Sequence, residues 1–129
     1  MNILIIEDIK FVAAGAKEIL ESIFDNGNKC NVFTTGYLTE GIKLAKETKF
    51  DVIFLDLTLL DSEKDETILK IKELSVFGPV SVISKYEDNE TTKKCFEAGA
   101  DSVYDKLILS RIGDMRLAVL NVVYRNKKS

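Results

Sequence analysis

The sequence predicts a single α/β domain, in which a five-stranded parallel sheet is covered by helices on both faces. Short apolar runs alternate with segments of helical spacing along all 129 residues. The first run, Ile3–Ile6, has no polar alternation, which is typical of a strand buried on both faces. Five successive strand–helix units require right-handed crossovers, and these make the strands parallel. No linker or repeat divides the chain, so residues 1–129 are expected to form one domain.

The first half of the chain contains three predicted strands and two predicted helices. The strands cover residues 3–6, 31–34 and 52–55. Between the first two strands, apolar residues recur at helical spacing over residues 12–23, and the Asp-Asn-Gly-Asn cluster at residues 25–28 ends that helix. A second helix follows with Leu38, Ile42 and Ala45 on one face.

The second half supplies the remaining units. We expect Ser62 to begin a third helix, with Asp65 in an acidic version of the capping box. Ile68, Ile71 and Leu74 mark the inner face of this helix. The elements that follow are a strand over 80–83, a helix from Asn89 to Ala98 that ends at Gly99, a strand over 102–104 and a helix over 112–124.

Composition and charge exclude several classes of function. Hydrophobic residues make up 46% and charged residues 30% of the chain, as in ordinary globular domains. The net charge of −3 argues against direct nucleic-acid binding, because phosphate binding favours a basic surface. No apolar run is long enough to span a bilayer, so we expect no membrane contact. Cys30 and Cys95 lack metal-site spacing, and we expect packed thiols and a cytoplasmic location.

The chain contains no histidine. Nucleophilic triads that depend on histidine and histidine metal ligands are therefore excluded, and the chain cannot carry phosphohistidine. Chemistry must come from carboxylate, hydroxyl or lysine groups, or from a bound ion.

Polar residues stand where the apolar runs end. Glu7 and Asp8 follow the first strand, Asp56 follows the third, Ser84 follows the fourth and Lys106 follows the fifth. Ligands of open parallel sheets bind at the carboxyl ends of the strands, where the strand order reverses. In the order 2-1-3-4-5 that place lies between strands one and three. We therefore predict one site for a divalent cation and a phosphoryl group.

Each of these residues also has an ordinary alternative. An acid such as Glu7 at a strand end is often a solvated loop residue or a cap, Ser84 alone is typical of a turn, and Lys106 alone is typical of a surface. Asp56 fits this alternative poorly, because it follows four apolar residues and its desolvation would be costly without a cation. The joint pattern favours a functional site.

These motifs resemble those of the receiver domains of two-component response regulators, the CheY-like family. The matching positions are the Glu7-Asp8 pair, Asp56 in Phe-Leu-Asp-Leu, Ser84 after Val-Ser-Val-Ile, and Lys106 after Ser-Val-Tyr-Asp. The likeness covers essentially the whole chain. It implies a flavodoxin-like (βα)5 fold with strand order 2-1-3-4-5.

The resemblance also implies a reaction and a metal. Asp56 would accept a phosphoryl group from the phosphohistidine of a sensor histidine kinase or phosphotransfer protein. Mg²⁺ would be held by Asp8, Asp56 and the backbone carbonyl of Thr58, with Glu7 acting through a metal-bound water. The chain would not be a conventional enzyme, although Mg²⁺-dependent self-phosphorylation and autodephosphorylation of Asp56 are expected.

The same resemblance gives Lys106 and Ser84 contacts with the phosphoryl group. Lys106 would pair with one phosphoryl oxygen as a point charge. Ser84 would donate its hydroxyl to another oxygen and move inward as it does so.

The sequence departs from the family pattern in the region that normally reports phosphorylation. Leu107 replaces the proline that usually follows Lys106, so a cis peptide bond is not expected there. Val103 occupies the place of the usual switch aromatic, and Tyr104 should point to the opposite face of its strand. Leu60 replaces a familiar proline after the third strand. The usual coupling of hydroxyl movement to an aromatic rotamer is therefore not predicted.

The last helix is apolar around more of its circumference than an ordinary surface helix. One stripe comprises Ile112, Met115, Val119 and Val122, and the other apolar positions are Leu117, Leu120 and Tyr124. A well-covered packing helix and a docking surface both fit this pattern. In this family the face formed by the fourth helix, fifth strand and fifth helix commonly binds a protein target or a second copy, so either partner is expected there.

Three functions are consistent with the sequence. The first is a phosphorylatable receiver that signals by conformational change. The second is a receiver-like interaction module that binds its partner without phosphorylation, an alternative that the departures in the switch region leave open. The third is a small metal-dependent phosphotransfer or phosphatase enzyme, which is disfavoured because the sequence shows no additional general base.

Overall fold

The computed structural model describes residues 1–24, 29–85 and 88–127, and it confirms the predicted α/β fold. Five parallel strands form one sheet in the order β2-β1-β3-β4-β5. The strands are β1 (Asn2–Ile6), β2 (Asn31–Thr35), β3 (Val52–Asp56), β4 (Val80–Ser84) and β5 (Ser102–Asp105). The turn predicted at residues 25–28 lies outside the described residues.

Helices follow each strand along the chain. They are α1 (Lys10–Ile23), α2 (Leu38–Glu47), α3 (Lys64–Leu69), α4 (Ile71–Ser75), α5 (Asn89–Glu97) and α6 (Ile112–Lys127). A 3₁₀ helix, Lys106–Ser110, connects β5 to α6. Among the described residues, no helix is both long and apolar enough to cross a membrane.

The central strands are buried on both faces, as the uninterrupted apolar runs predict. In β1, Ile3 and Ile5 join the core beneath α1 and α6, whereas Leu4 and Ile6 join the core beneath the other helices. All five residues of β3 are buried as well. Burying one such side chain contributes roughly 1.5–3 kcal/mol, so the two cores hold the ends of these strands in place.

The third predicted helix is two short helices, and its predicted cap is wrong. Lys70 separates α3 from α4, and its N–H donates to the Thr67 carbonyl three residues back at 3.0 Å. Helix α3 begins at Lys64, after Glu63, without a side-chain cap. Ser62 does not begin the helix because its hydroxyl is hydrogen-bonded to the Thr67 hydroxyl, 2.8 Å away.

The ends of α5 and α6 test two further predictions. Helix α5 ends just before Gly99, whose φ of +110° is the conformation that favours glycine after a helix. Of the predicted stripe on α6, Met115, Val119 and Val122 are buried, but Ile112 is 61% exposed. Ile112 lies in the first turn of α6, where residues of the 3₁₀ helix join the core instead.

Candidate functional site

Three carboxylates meet at the carboxyl ends of β1 and β3. Glu7 and Asp8 directly follow β1, Asp56 is the last residue of β3, and the parallel register pairs Ile6 with Leu55. Glu7 is 1% exposed and Asp56 is 3% exposed, so neither is a solvated loop residue. The alternative of ordinary surface acids therefore does not describe this site.

The carboxylates are close enough to share a cation. One oxygen from each of Glu7, Asp8 and Asp56 lies within 4.8 Å of the others. Glu7 Oε2 and Asp8 Oδ1 are buried and have no hydrogen-bond partner among the described residues. Buried carboxyl oxygens without a hydrogen-bond partner are costly. Together these oxygens have the chemistry that Mg²⁺ or Ca²⁺ prefers.

Lys106 supplies a positive charge to this cluster. Its Nζ lies 2.8 Å from Glu7 Oε1 and 3.0 Å from Asp56 Oδ2, and 3.8 Å from Asp8 Oδ1. The side chain is 19% exposed, which distinguishes it from a typical surface lysine. The sequence predicts Lys106 at this edge of the sheet, but it contains no local signal for the contact between Lys106 and Glu7.

The pKa values of two groups reflect this crowding. Burial of Glu7 raises its pKa to about 8, and the neighbouring Asp56 carboxylate adds to the increase. Burial alone would lower the pKa of Lys106, but its hydrogen bonds with Glu7 and Asp56 outweigh this effect and raise the pKa. Glu7 is therefore largely protonated at pH 7 in the metal-free site, and Lys106 is charged.

Ser84 and Thr58 lie at the edges of the carboxylate cluster. Ser84 ends β4, is 3% exposed and pairs in register with Asp105, the residue before Lys106. Thr58 lies two residues beyond Asp56, and its backbone N–H donates to Asp56 Oδ1 at 3.4 Å. The topology thus brings the predicted residues to one edge of the sheet, as expected from the strand order.

The predicted departures in β5 are also seen in the structure. Val103 packs against the core beneath α2 to α5, whereas Tyr104 packs against the core beneath α1 and α6. Among the described residues no peptide bond is cis, and the chain after Lys106 continues as the 3₁₀ helix. The Asp105 carboxylate caps this helix by accepting the Leu107 N–H at 2.8 Å.

One residue near the site was missed in the sequence. Asp61, in the loop after β3, accepts hydrogen bonds from the first turn of α2. No short-range motif connects these positions, because 22 and 23 residues separate the partners.

A family model for the response regulator receiver domain matches residues 3–113. The chain belongs to the response regulator receiver family. This match confirms the predicted recognition and the predicted class of function, a phosphoacceptor domain in two-component signal transduction. A receiver domain is not a conventional enzyme, and it works with a histidine kinase or a phosphotransfer protein.

Curated relatives include longer response regulators. The cell cycle transcriptional regulator CtrA of Caulobacter vibrioides is 29% identical over 99% of this chain and 52% of its own length. The cell cycle response regulator CtrA of Brucella ovis is 31% identical over 82% of this chain and 44% of its own length. The chain thus spans about half the length of these relatives. The expectation that it makes no direct contact with nucleic acid stays a prediction.

Solved structures share the fold of this receiver domain. A CheY-like receiver domain from Methanospirillum hungatei matches with a TM-score of 0.79 and 23% identity, over 98% of this chain and 96% of that one. A response regulator from Burkholderia pseudomallei, whose structure holds a phosphorylated aspartic acid, a calcium ion and citrate, matches with a TM-score of 0.77 and 23% identity, over 98% and 71% of the two chains.

Proposed function

We propose that the receiver domain accepts a phosphoryl group on Asp56 from the phosphohistidine of a sensor histidine kinase or phosphotransfer protein. The observation that carries the proposal is the position of Asp56 Oδ2, 3.0 Å from the Lys106 ammonium and within a cluster of three carboxylates. The Asp56 oxygen that would attack phosphorus therefore lies beside the positive charge of the Lys106 ammonium.

The transfer makes one bond and breaks one bond. An Asp56 oxygen attacks phosphorus as the P–N bond to the partner's histidine breaks, and the leaving imidazole nitrogen keeps the electron pair. An anionic carboxylate repels an incoming phosphoryl group, so positive charge must be present at the point of attack. Lys106 supplies part of this charge as it shifts from Asp56 to a phosphoryl oxygen.

The residues also fit a divalent cation. Asp8 and Asp56 would hold Mg²⁺ together with the Thr58 carbonyl, and Glu7 would contact it through a bound water. Unpartnered oxygens on Glu7 and Asp8 support this donor set. Such a cation offsets the charge of the transferring phosphoryl group.

Ser84 lies at the same edge of the sheet as Asp56. It is buried at the end of β4, the strand beside β3. We assign it the role of a hydrogen-bond donor to a phosphoryl oxygen, which would connect phosphorylation to movement of the loop after β4.

The face comprising α5, β5 and α6 is the proposed docking surface for a downstream protein target or a second copy of the domain. Exposed apolar side chains of α5 and α6 support this role, and they include Phe96, Leu117, Leu120 and Tyr124. Light scattering with and without beryllium fluoride and Mg²⁺ distinguishes the two partners, since only self-association raises the mass of the isolated chain.

The central test uses beryllium fluoride as a phosphoryl mimic. We expect saturable, Mg²⁺-dependent binding, followed by NMR, that is lost in Asp56→Asn. Asp51→Asn is the matched control, because Asp51 immediately precedes the same strand and its carboxylate accepts the Asn2 N–H at 2.9 Å, away from the proposed site. Acetyl phosphate should phosphorylate the wild type and the control but not Asp56→Asn.

The other two functions give different results in the same experiment. Absence of binding in the wild type would support the phosphorylation-independent interaction module, which Val103 at the switch position favours. Continuous turnover of a phosphate ester would support the metal-dependent enzyme.

A further inference from the structure

Helix α2 lacks a cap of its own. Its N-cap residue, Tyr37, has the extended backbone that a cap requires, with φ −113° and ψ 130°, but its side chain makes no capping hydrogen bond. The free N–H groups of a first helical turn must find acceptors elsewhere. Here they find them on a different part of the chain.

Asp61 provides those acceptors from the loop after β3. Its Oδ1 accepts the Leu38 N–H at 2.6 Å, and its Oδ2 accepts the Thr39 N–H at 3.1 Å and the Thr39 hydroxyl at 2.8 Å. Slight burial would raise the pKa of Asp61, but these hydrogen bonds outweigh it and lower the pKa. The carboxylate is therefore ionised at neutral pH, where the helix N-terminus favours negative charge.

The loop that carries Asp61 is itself a closed turn. The Leu59 N–H donates to the Ser62 carbonyl at 2.8 Å, and the Ser62 N–H donates back at 3.4 Å. The Leu60 N–H donates to the Gly36 carbonyl at 3.1 Å, a second attachment to the segment before α2. Three hydrogen bonds through Asp61 and one through Leu60 thus fix the turn.

Gly36 permits this close approach. A Cβ at Gly36 would lie 2.9 Å from Leu60 Cδ1 and 3.5 Å from Asp8 Cα. Gly36 therefore lies between Leu60 of the turn and Asp8 at the end of β1.

Thr58 lies between Asp56, the last residue of β3, and the turn that begins at Leu59. The backbone around Thr58 is therefore held by the strand on one side and by the turn on the other. We propose that Asp61 is a positioning residue that holds the Thr58 carbonyl, by way of the turn, where the proposed cation needs it. The inference rests on the proposed function. Asp61 does not contact the cation, and it acts only through the backbone of residues 58–61.

Two variants distinguish a role of Asp61 in positioning the Thr58 carbonyl from a role in capping α2 alone. Asp61→Ala removes the cap of α2 and the three hydrogen bonds that attach the loop through Asp61, and it leaves the Leu60–Gly36 hydrogen bond in place. The double variant Tyr37→Asp/Asp61→Ala restores a cap within α2, because aspartate is a strong N-cap residue, and it restores the net charge. The double variant does not restore the hydrogen bonds that join α2 to the loop through Asp61.

We expect Asp61→Ala to lower Tm by about 4 °C and to weaken Mg²⁺ binding by about tenfold in an NMR titration. The double variant should recover most of Tm while Mg²⁺ binding stays weak. Wild-type Mg²⁺ affinity in either variant would overturn the inference. If Asp61→Ala does not fold, Asp61→Asn replaces it. This variant keeps the acceptor for the Leu38 N–H but loses the two hydrogen bonds from Thr39, so Mg²⁺ binding should weaken by about threefold, and unchanged affinity would overturn the inference.

Failure of this inference is distinguishable from failure of the proposed function. In the first case wild-type Mg²⁺ and beryllium fluoride binding remain and still depend on Asp56. In the second case that binding is absent from the wild type or is unchanged in Asp56→Asn.

Discussion

The β1–β3 half of the site and the β4–β5 half are built in different ways. Glu7, Asp8 and Asp56 extend from central strands that are buried on both faces, and all three lie within one small cluster. The β4–β5 half contributes Ser84 and Lys106, and it contains Val103 and Leu107, which differ from the family pattern described above. The three acidic residues of the site thus come from β1 and β3, whereas these two departures lie in the β4–β5 half.

The largest expected effects compare Asp8→Asn, in the β1–β3 half of the site, with Ser84→Ala, in the β4–β5 half. Asp8→Asn should weaken Mg²⁺ binding by at least about tenfold, because it removes a charged oxygen ligand. Ser84→Ala should leave Mg²⁺ affinity within about twofold and slow phosphorylation by acetyl phosphate by about tenfold or more, because it removes one donor to the phosphoryl group. Titration by NMR and a phosphorylation time course measure both quantities. Equal loss of Mg²⁺ affinity in the two variants would contradict the division.

The next largest effect is a pH dependence of the free energy of unfolding that comes from the Glu7 carboxyl group. Its pKa is raised from 4.5 to about 8 in the folded domain, so between these pH values the folded state retains a proton that the unfolded state has lost. Without metal, the free energy of unfolding of the wild type relative to Glu7→Gln should therefore fall as pH rises from about 4.5 to about 8. The slope is at most about 1.4 kcal/mol per pH unit.

Urea unfolding of both proteins in EDTA over this pH range measures the difference. A difference that stays constant with pH, or that grows as pH rises, would show that Glu7 is ionised in the folded domain. Addition of Mg²⁺ should reduce the slope, because a cation favours the ionised carboxylate.

The smallest effect is expected at Tyr104. Its ring lies on the face of β5 opposite to Val103, away from the core beneath α2 to α5. Tyr104→Phe should therefore leave the phosphorylation rate and the lifetime of the phosphorylated state within about twofold. A change of tenfold in the lifetime would show that Tyr104 takes part in switching.

Sequence reasoning was most successful where one local pattern decides the outcome. The apolar runs predicted all five strands, and the polar residues that end them predicted the composition of the site, because parallel strands bring their carboxyl ends to one edge. It failed at the start of α3, where Ser62 bonds to Thr67 rather than capping a helix. It also missed Asp61, whose partners are distant in sequence, and the raised pKa of Glu7, which depends on burial by residues from several elements.

The contact between Lys106 and Glu7 has a consequence for folding. It joins the first strand to the segment after the last one, across a sheet in which β3 and β4 lie between them. Contacts between residues so far apart in sequence form late, since the loop between them must first be ordered. A partly folded or truncated chain would lack the ammonium beside Asp56. The Lys106 ammonium therefore reaches Asp56 only when β1, β3, β4 and β5 have come together in one sheet.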